Sequence, residues 1–458
     1  MGIDGASDGA FHFGQALLPD GWADNVRLTV RNGVIIALER DVAPQAGDER
    51  RPVVLPGMPN LHSHAFQRGM AGLAEVRGPA GDSFWTWREV MYRFVDRLSA
   101  DDLRAIAALA YMEMLEAGFT RVGEFHYLHH DRDGGRFADP AEMSAAIVAA
   151  AEETGIALTH LPVFYAHSGF GGAAPGHGQR RFLHDLDGFA RLVEAARDAA
   201  RALPDAVVGV APHSLRAVTP EELRQVVGLA GGAPVHIHIA EQVKEVEDCV
   251  AWAGARPVEW LLANVAVDAR WCLVHATHVT PAEVAGMAAS GAVVGLCPIT
   301  EANLGDGIFP AAVYLSAGGL FGIGSDSNVL IDATEELRLL EYGQRLAGRS
   351  RNVFAGAPGR STGQDLLDGA LSGGAVALGA PAAIAVGHAA DLVSLDVGHP
   401  ALCGRRGAAL VDGLIFAAGR SAIDGVWRRG RQVVNTGRHQ RREAIVARYR
   451  EVLERLTQ

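Results

Sequence analysis

Lysine is almost missing from this chain: Lys244 stands alone among 41 basic residues, and all the others are arginines. A guanidinium fork favours planar, two-pronged contacts to carboxylates, but a codon skew produces the same pattern, so nothing is built on it. Cysteine is scarce as well. Cys249, Cys272, Cys297 and Cys403 are scattered without a CxxC pair, which excludes a disulfide framework and a cysteine-based zinc site. They read as small buried fillers in a reducing compartment. No apolar run reaches the ~18–20 residues needed to span a bilayer. Residues 1–21 hold no basic stretch followed by an apolar one, so nothing marks the chain for secretion and a cytoplasmic location is the expectation. Positive charge is the minority sign. A formal net charge of −12 excludes a general nucleic-acid binder, because neutralising phosphates takes a basic face. Any anionic substrate must instead meet a local group of arginines.

What remains is a globular composition, 49% hydrophobic and 21% charged, spread over 458 residues. That length exceeds one ordinary core and points to a barrel of about 250 residues or more with an accessory domain. Between residues 25 and 54 the pattern VRLTVRNGVIIALERD alternates around an Asn-Gly turn, a hairpin signal. Short strands are expected again at 390–396 (ADLVSLD), 413–419 (GLIFAAG) and 424–434 (DGVWRRGRQVV), followed by a closing amphipathic helix over 441–456. The two ends are expected to pair into a β-sandwich. The resulting division is 1–56 and 386–458 for the β-sandwich with its closing helix, and 57–385 for a catalytic barrel.

Within the barrel portion, eight short apolar runs alternate with helical stretches such as 100–117 and 189–202. They are NLHSHA (60–65), TRVGEFHY (120–127), ALTHLPVFYA (157–166), VVGVAPHS (207–214), PVHIHIAE (234–241), WCLVHAT (271–277), AVVGLCP (292–298) and FGIGSDS (321–327). Repeated βα units of this kind predict a (β/α)8 TIM-like barrel. The glycine-rich stretch SGFGGAAPGHGQRR lacks the strand-GxxxxGK[ST]-helix context of a phosphate cradle, and is expected to be a mobile lid over the barrel mouth.

Polar residues gather at the C-terminal ends of these runs, where barrel enzymes place their active sites. His62 and His64 are two apart on the first strand, so both point into the barrel and can share one ion. The fifth run supplies His236, His238 and Glu241, the sixth His275 and the eighth Asp326.

The order HxH, HxxE, His, Asp on strands one, five, six and eight resembles the amidohydrolase superfamily, over nearly the whole chain. The resemblance implies His62, His64, His238 and Asp326 as metal ligands, with Glu241, His275 and Asp326 as catalytic groups. His236 lacks the following Glu at the family's spacing and reads as a core or supporting histidine. Imidazoles suit zinc or iron, and three histidines leave a position open for a water whose pKa the ion lowers toward ~7. Two-metal members use a carboxylated lysine on the fourth strand. Lys244 follows the fifth-strand motif, so one divalent ion per subunit, zinc, is expected.

Further segments resemble the formimidoylglutamate deiminase branch, which acts in histidine degradation: HSHAFQRGMAG (62–72), GDSFWTWREVMY (81–92), FHYLHH (125–130), PHSLRAV (212–218) and CPITEANLGDG (297–307). That resemblance implies hydrolysis of N-formimino-L-glutamate to N-formyl-L-glutamate and ammonia, with Gln67, Arg88, Tyr127, His213 and Arg216 as substrate contacts. It also suggests a homodimer. A compact dicarboxylate needs fixed cations at a set distance from the metal, which arginine forks supply. Asp326 is expected to take the proton of the attacking water, His275 to orient it, and Glu241 to work first as an ionised acceptor for the amidine. Trp85 and Trp87 read as packing, and His126, His129 and His130 as loop residues without a place in the metal pattern. Asn303 receives no role. The rivals are a deaminase of a heteroaromatic ring, an imidazolonepropionase-type ring hydrolase, and a scaffold without activity, which would have lost ligands or Glu241.

Overall fold

The computed structural model describes residues 8–78 and 82–457; the leader reading of residues 1–7, and Gly81 of the GDSFWTWREVMY segment, lie outside the described residues. The first strands are β1 (Gly9–Leu18), β2 (Gly21–Arg31), β3 (Val34–Glu39) and β4 (Glu49–Pro56). Then come β5 (Met58–Ser63), β6 (Phe119–His126), β7 (Ala157–Phe164), β8 (Val207–Val208), β9 (Ala211–Pro212), β10 (Val235–Ile239), β11 (Trp271–His275), β12 (Val293–Leu296) and β13 (Leu320–Ile323). The chain ends with β14 (Leu392–Leu395), β15 (Ile423–Arg428), β16 (Arg431–Asn435) and β17 (Arg438–His439).

All eight apolar runs lie on the strands β5 to β13, with the fourth run split into β8 and β9. The split falls where the chain changes partner: a Cβ at Gly209 would lie 2.4 Å from the Pro234 carbonyl oxygen, and Val210 N–H donates to that oxygen at 3.1 Å. The strands run parallel, β5-β6-β7-β8 in one group and β10-β11-β12-β13 in another. Parallel bridges Val210–Val235 and Ser214–His238 join the groups on one side, and Ser63–Asp326 joins them on the other. The barrel therefore closes at its chemistry-bearing end. Asp326 N–H donates to His62 O at 3.0 Å and His64 N–H donates to Asp326 O at 2.9 Å. Only glycine permits that approach, because a Cβ at Gly324 would sit 2.8 Å from the Cβ of His62.

Of the two helices named from the sequence, one starts at the expected residue 100 and the other three residues before the expected 189. Ala100–Glu116 is capped by Ser99 and Leu186–Ala200 by Asp185, each side chain accepting a free backbone N–H of the first turn. The helix Thr362–Leu378 packs so tightly that a Cβ at Gly373 would overlap the Phe321 carbonyl oxygen at 1.9 Å.

The two chain ends do pair, into one eight-stranded sheet ordered β17-β16-β15-β14-β4-β1-β2-β3. Its own core holds Phe11, Phe13, Val26, Leu28, Leu392 and Trp427. Trp427 meets Phe11 edge-on at 6.2 Å although three strand spacings separate them, so the sheet curls around that core. The Asn32-Gly33 turn has φ of 51° and 75°, the doubly positive pair that a two-residue hairpin needs.

Three expectations are corrected. GLIFAAG is not a strand: residues 408–422 form helical turns, because Leu410, Val411, Leu414 and Ile415 recur at helical spacing and bury one face. β1, absent from the sequence reading, is a central strand of the sheet. Cys403 is exposed in a turn, unlike the three buried cysteines. Among the described residues no helix is long and apolar enough to cross a membrane.

Candidate active site

The β5 pleat sends His62 inward against Phe125 of β6, with ring centroids 5.0 Å apart, and against His238 of β10 at 4.8 Å. Asp326, just past β13, lies beneath both imidazoles of the HxH pair. Its Oδ1 is 3.4 Å from His62 Nε2 and 3.2 Å from His64 Nε2. His64 is oriented from its other side, where Nδ1 donates to Phe125 O at 2.9 Å. His62, His238, His275 and Asp326 each offer one ligand atom, all within 4.8 Å of one another. The tightest foursome thus contains His275 where the sequence pattern expects His64, though His64 faces the same space.

The donor chemistry fits a cation. His62 Nε2 and His238 Nε2 confront each other at 3.0 Å. Burial pushes the His62 imidazole down to about 3, and that of His238 well below its usual value, so both rings are neutral and at most one proton lies between two lone pairs. Asp326 adds negative charge: burial raises its pKa, but hydrogen bonds with His62 and His64 override this and hold it well below the usual carboxylate range.

The strand ends are strained where they carry these groups. Ala240, His275, Ala276 and Asp326 have φ between 43° and 68°, a left-handed backbone that costs a non-glycine residue of order 1 kcal/mol or more. Side chains hold them there. Glu245 accepts the N–H groups of Ala240 and Glu241, both at 3.2 Å. Asn328 donates at 3.1 Å to Ser63 Oγ, His64 O and Asp326 O, pinning β5 to the chain after β13.

Glu241 and Asp326 are driven apart. Burial raises the Glu241 pKa, against the pull of His275 and Arg216. His275 Nε2 stands between the two carboxylates, 3.9 Å from Glu241 Oε1 and 3.8 Å from Asp326 Oδ2. Burial disfavours its cation, but Glu241, Glu301 and Asp326 outweigh that and lift its pKa to about 10 before any ion is added.

Above the cluster lies a cavity, part of it open to solvent, and Gln67, Arg88, Tyr127, His213 and Arg216 all line it. Gln67 Nε2 donates to the Tyr127 hydroxyl at 2.9 Å, which leaves Gln67 Oε1 buried without a partner. His213 packs 5.0 Å from His238 and is kept neutral by burial, helped by Arg216. Trp85 stacks under both guanidiniums, 4.6 Å from Arg88 Cζ and 5.8 Å from Arg216 Cζ. The Nε of each arginine is buried without a hydrogen-bond partner.

A model described as the amidohydrolase family matches residues 53–433. The chain belongs to the amidohydrolase family. A second model, described as the N-terminal domain of formimidoylglutamate deiminase HutF, matches residues 9–52. A Pseudomonas aeruginosa protein named formimidoylglutamate deiminase is 53% identical, covering 96% of this chain and 98% of its own. A crystal structure of an amidohydrolase from Brucella melitensis is 56% identical, with a TM-score of 0.96, covering 98% of this chain and all of that one. A zinc-bound adenosine deaminase from Xanthomonas campestris shares the fold at 24% identity and a TM-score of 0.82, covering 98% of each chain.

Several residues of this amidohydrolase site escaped the sequence reading. Tyr92, Tyr165, Phe182, Thr300 and Ser327 also line the cavity. Tyr92 was signalled by its place one turn after Arg88, and Tyr165 by directly following β7. Phe182 had no signal. It directly follows the expected lid stretch, which is anchored at that end by Gln179 Nε2 donating to the Tyr165 hydroxyl at 2.7 Å and by buried Arg181 donating to His130 O at 2.9 Å. Trp87 lines the cavity and Trp85 carries the arginines, so neither is mere packing. His126 ends β6, whereas His129 and His130 do lie in the loop after it, and all three are buried; they cluster with His160 and His184 on the outer side of β6 and β7, away from the candidate metal cluster. His236 donates to Ala377 O at 2.8 Å, outside the barrel interior. Asn303 donates to Glu75 Oε1 at 2.7 Å at the rim.

Proposed function

We propose that this protein is a cytoplasmic deiminase holding one zinc ion, which hydrolyses N-formimino-L-glutamate to N-formyl-L-glutamate and ammonia. The observation that carries the reading is the arginine pair: two guanidiniums on one tryptophan, facing the cavity without an ion pair among the described residues. A buried unpaired charge is costly, so the site is built for a ligand that brings carboxylates. The name of the Pseudomonas relative, at 53% identity over most of both chains, supports the same choice.

His62, His64, His238 and Asp326 would hold the ion, with His275 at the edge of the set; once bound, such an ion acts as a Lewis acid that makes water more acidic. Arg88 and Arg216 bind the substrate carboxylates and set the distance to the formimino carbon. Gln67 Oε1 accepts a substrate N–H. His275 Nε2 orients the attacking water and Asp326 takes its proton. Glu241 first accepts a hydrogen bond from the amidinium, then takes the hydroxyl proton of the tetrahedral adduct and passes it to the departing nitrogen, while the proton held by Asp326 leaves to solvent. Water oxygen bonds to the formimino carbon, that carbon's bond to the terminal nitrogen breaks, and ammonia leaves.

A heteroaromatic ring offers no carboxylates to these arginines. The test is ammonia release from formiminoglutamate, guanine, adenosine and cytosine under identical conditions. Formiminoglutamate should be turned over best, and formiminoaspartate should be poorer because its shorter chain misplaces the reacting carbon. A better heteroaromatic substrate would sink the assignment and leave the metal hydrolase standing.

A further inference from the structure

The loop after β12 brings a carboxylate to the site from behind. Glu301 is 6% exposed and lies in the short helix Pro298–Leu304. Its Oε1 receives the Cys297 N–H at 3.0 Å, so that oxygen is an acceptor, and His275 Nδ1 lies 3.3 Å from the same atom. The ring proton of this contact is therefore on Nδ1. Glu301 is itself fixed by backbone bonds: its N–H donates to Cys297 O at 2.9 Å and its carbonyl receives Asp306 N–H at 2.9 Å. His275 needs such a support. It is the last residue of β11, and with φ of 68° its backbone departs from the extended form, so the pleat no longer dictates where its ring points.

We propose that Glu301 is a positioning residue: by accepting the Nδ1 proton of His275 it sets that ring's direction and, in the metal-loaded protein where the neighbouring carboxylates no longer favour its cation, its tautomer, and turns Nε2 toward the space between Asp326 and Glu241. The hydrogen bond on one imidazole nitrogen decides what the other can do, and loss of such a supporting partner typically costs 10–100-fold in activity. The inference rests on the reading of His275 as the group that orients the attacking water.

The alternative is that Glu301 only caps its helix through Cys297. The two roles separate in the zinc-loaded enzyme. Glu301→Met keeps the bulk and removes the acceptor; it should lower kcat about 10–100-fold, with KM within about threefold and metal content unchanged. Glu301→Gln, which retains a carbonyl at the same reach, should recover most of that loss. Nitrogen-15 shifts of His275 should report a protonated Nδ1 in the wild type and a mixed or reversed tautomer in Glu301→Met. The proposal is overturned by a Glu301→Met kcat within threefold of wild type, by a loss that follows KM or metal content, or by Glu301→Gln being as damaged as Glu301→Met. A wild-type His275 unprotonated at Nδ1 overturns it without any variant. Because the shifts need no substrate, they decide the matter even if the wild type releases no ammonia from formiminoglutamate, an outcome that refutes only the substrate reading.

Discussion

Arg216 is the sharpest place to perturb substrate binding. Its side chain is only 7% exposed, its Nε has no partner, and it belongs to no ion pair among the described residues. Burial lowers its pKa, but Glu245, Tyr165 and Glu241 outweigh that and raise it, so the guanidinium stays charged in a place that gives it no direct counter-ion. Removing one member of a buried charged contact costs about 2–5 kcal/mol, or roughly 30- to 5,000-fold in kcat/KM at 1.36 kcal/mol per decade. Arg216→Met should fall in that range. Arg88→Met should lie at its lower end, because Arg88 is half-buried and keeps more water.

Stability should move the other way. In the empty protein Arg216 is a desolvated charge awaiting a partner, so Arg216→Met should melt at or above the wild-type temperature. Substrate-like dicarboxylates should then lose their protective effect, which at a hundredfold excess over Kd is about 2.7 kcal/mol. Ammonia release and thermal melts with and without N-formyl-L-glutamate measure both quantities, and metal content should stay unchanged. If Arg216→Met hydrolysed formiminoglutamate within threefold of wild type, or melted several degrees lower with catalysis intact, Arg216 would be a structural arginine and the reasoning from its missing partner would fail.

Chelation should abolish activity and zinc should restore it, one tightly held ion per chain; His62→Asn should lose ion and activity together, whereas Asp326→Asn should keep part of the ion and no turnover, and a second ion in the fully active enzyme would refute the mononuclear site. Glu241→Gln should reduce kcat by about 10²-fold or more, and near-full activity would remove Glu241 from the proton path. Burial raises the Asp205 pKa, but Arg428 and Arg121 override it and place it below the usual 3.8. Its contribution to stability is therefore complete above about pH 4 and is lost as pH falls through the folded value. Asp205→Asn should destabilise the fold at neutral pH by about 3 kcal/mol and flatten the acid limb of the stability curve, and a variant that keeps the wild-type limb would refute the assignment.

The barrel was legible because a buried parallel strand reads as a short apolar run, and its ligands stand at the run's end, where alternation fixes the direction of His62 and His64. GLIFAAG defeated the same logic: an apolar stretch of that length fits a strand or a buried helix equally well, and the segments it packs on decide. The left-handed residues were invisible for a different reason. Ala240 and Ala276 are not residue types that favour positive φ, His275 and Asp326 favour it only weakly, and the bonds at these positions come from Glu245, from Ile239 of β10 and from His62 of β5, distant in the chain or outside any motif. The Trp85 shelf needed two elements as well. Arg88 is one turn from Trp85 on the same helix, but Arg216 reaches that ring from the segment after β9, about 130 residues along the chain.

The pocket is electrically divided. Asp326, Glu241 and Glu301 surround His275 at one end, while Arg88 and Arg216 share Trp85 at the other, and neutral His213 stands between the ends against His238. Neither pole is comfortable alone, because three carboxylates crowd one imidazole and two guanidiniums lack counter-ions. A divalent ion relieves the first pole and a dicarboxylate the second. On the proposed reading formiminoglutamate is a dipole of the opposite sense, with an amidinium for Glu241 and carboxylates for the arginines, so a reversed pose would oppose like charges at both ends at once. A neutral ring gains nothing from either pole in any orientation. Specificity would then follow from orienting charge as well as from shape, with the formimino carbon brought to the attacking water by the one pose that pairs the charges.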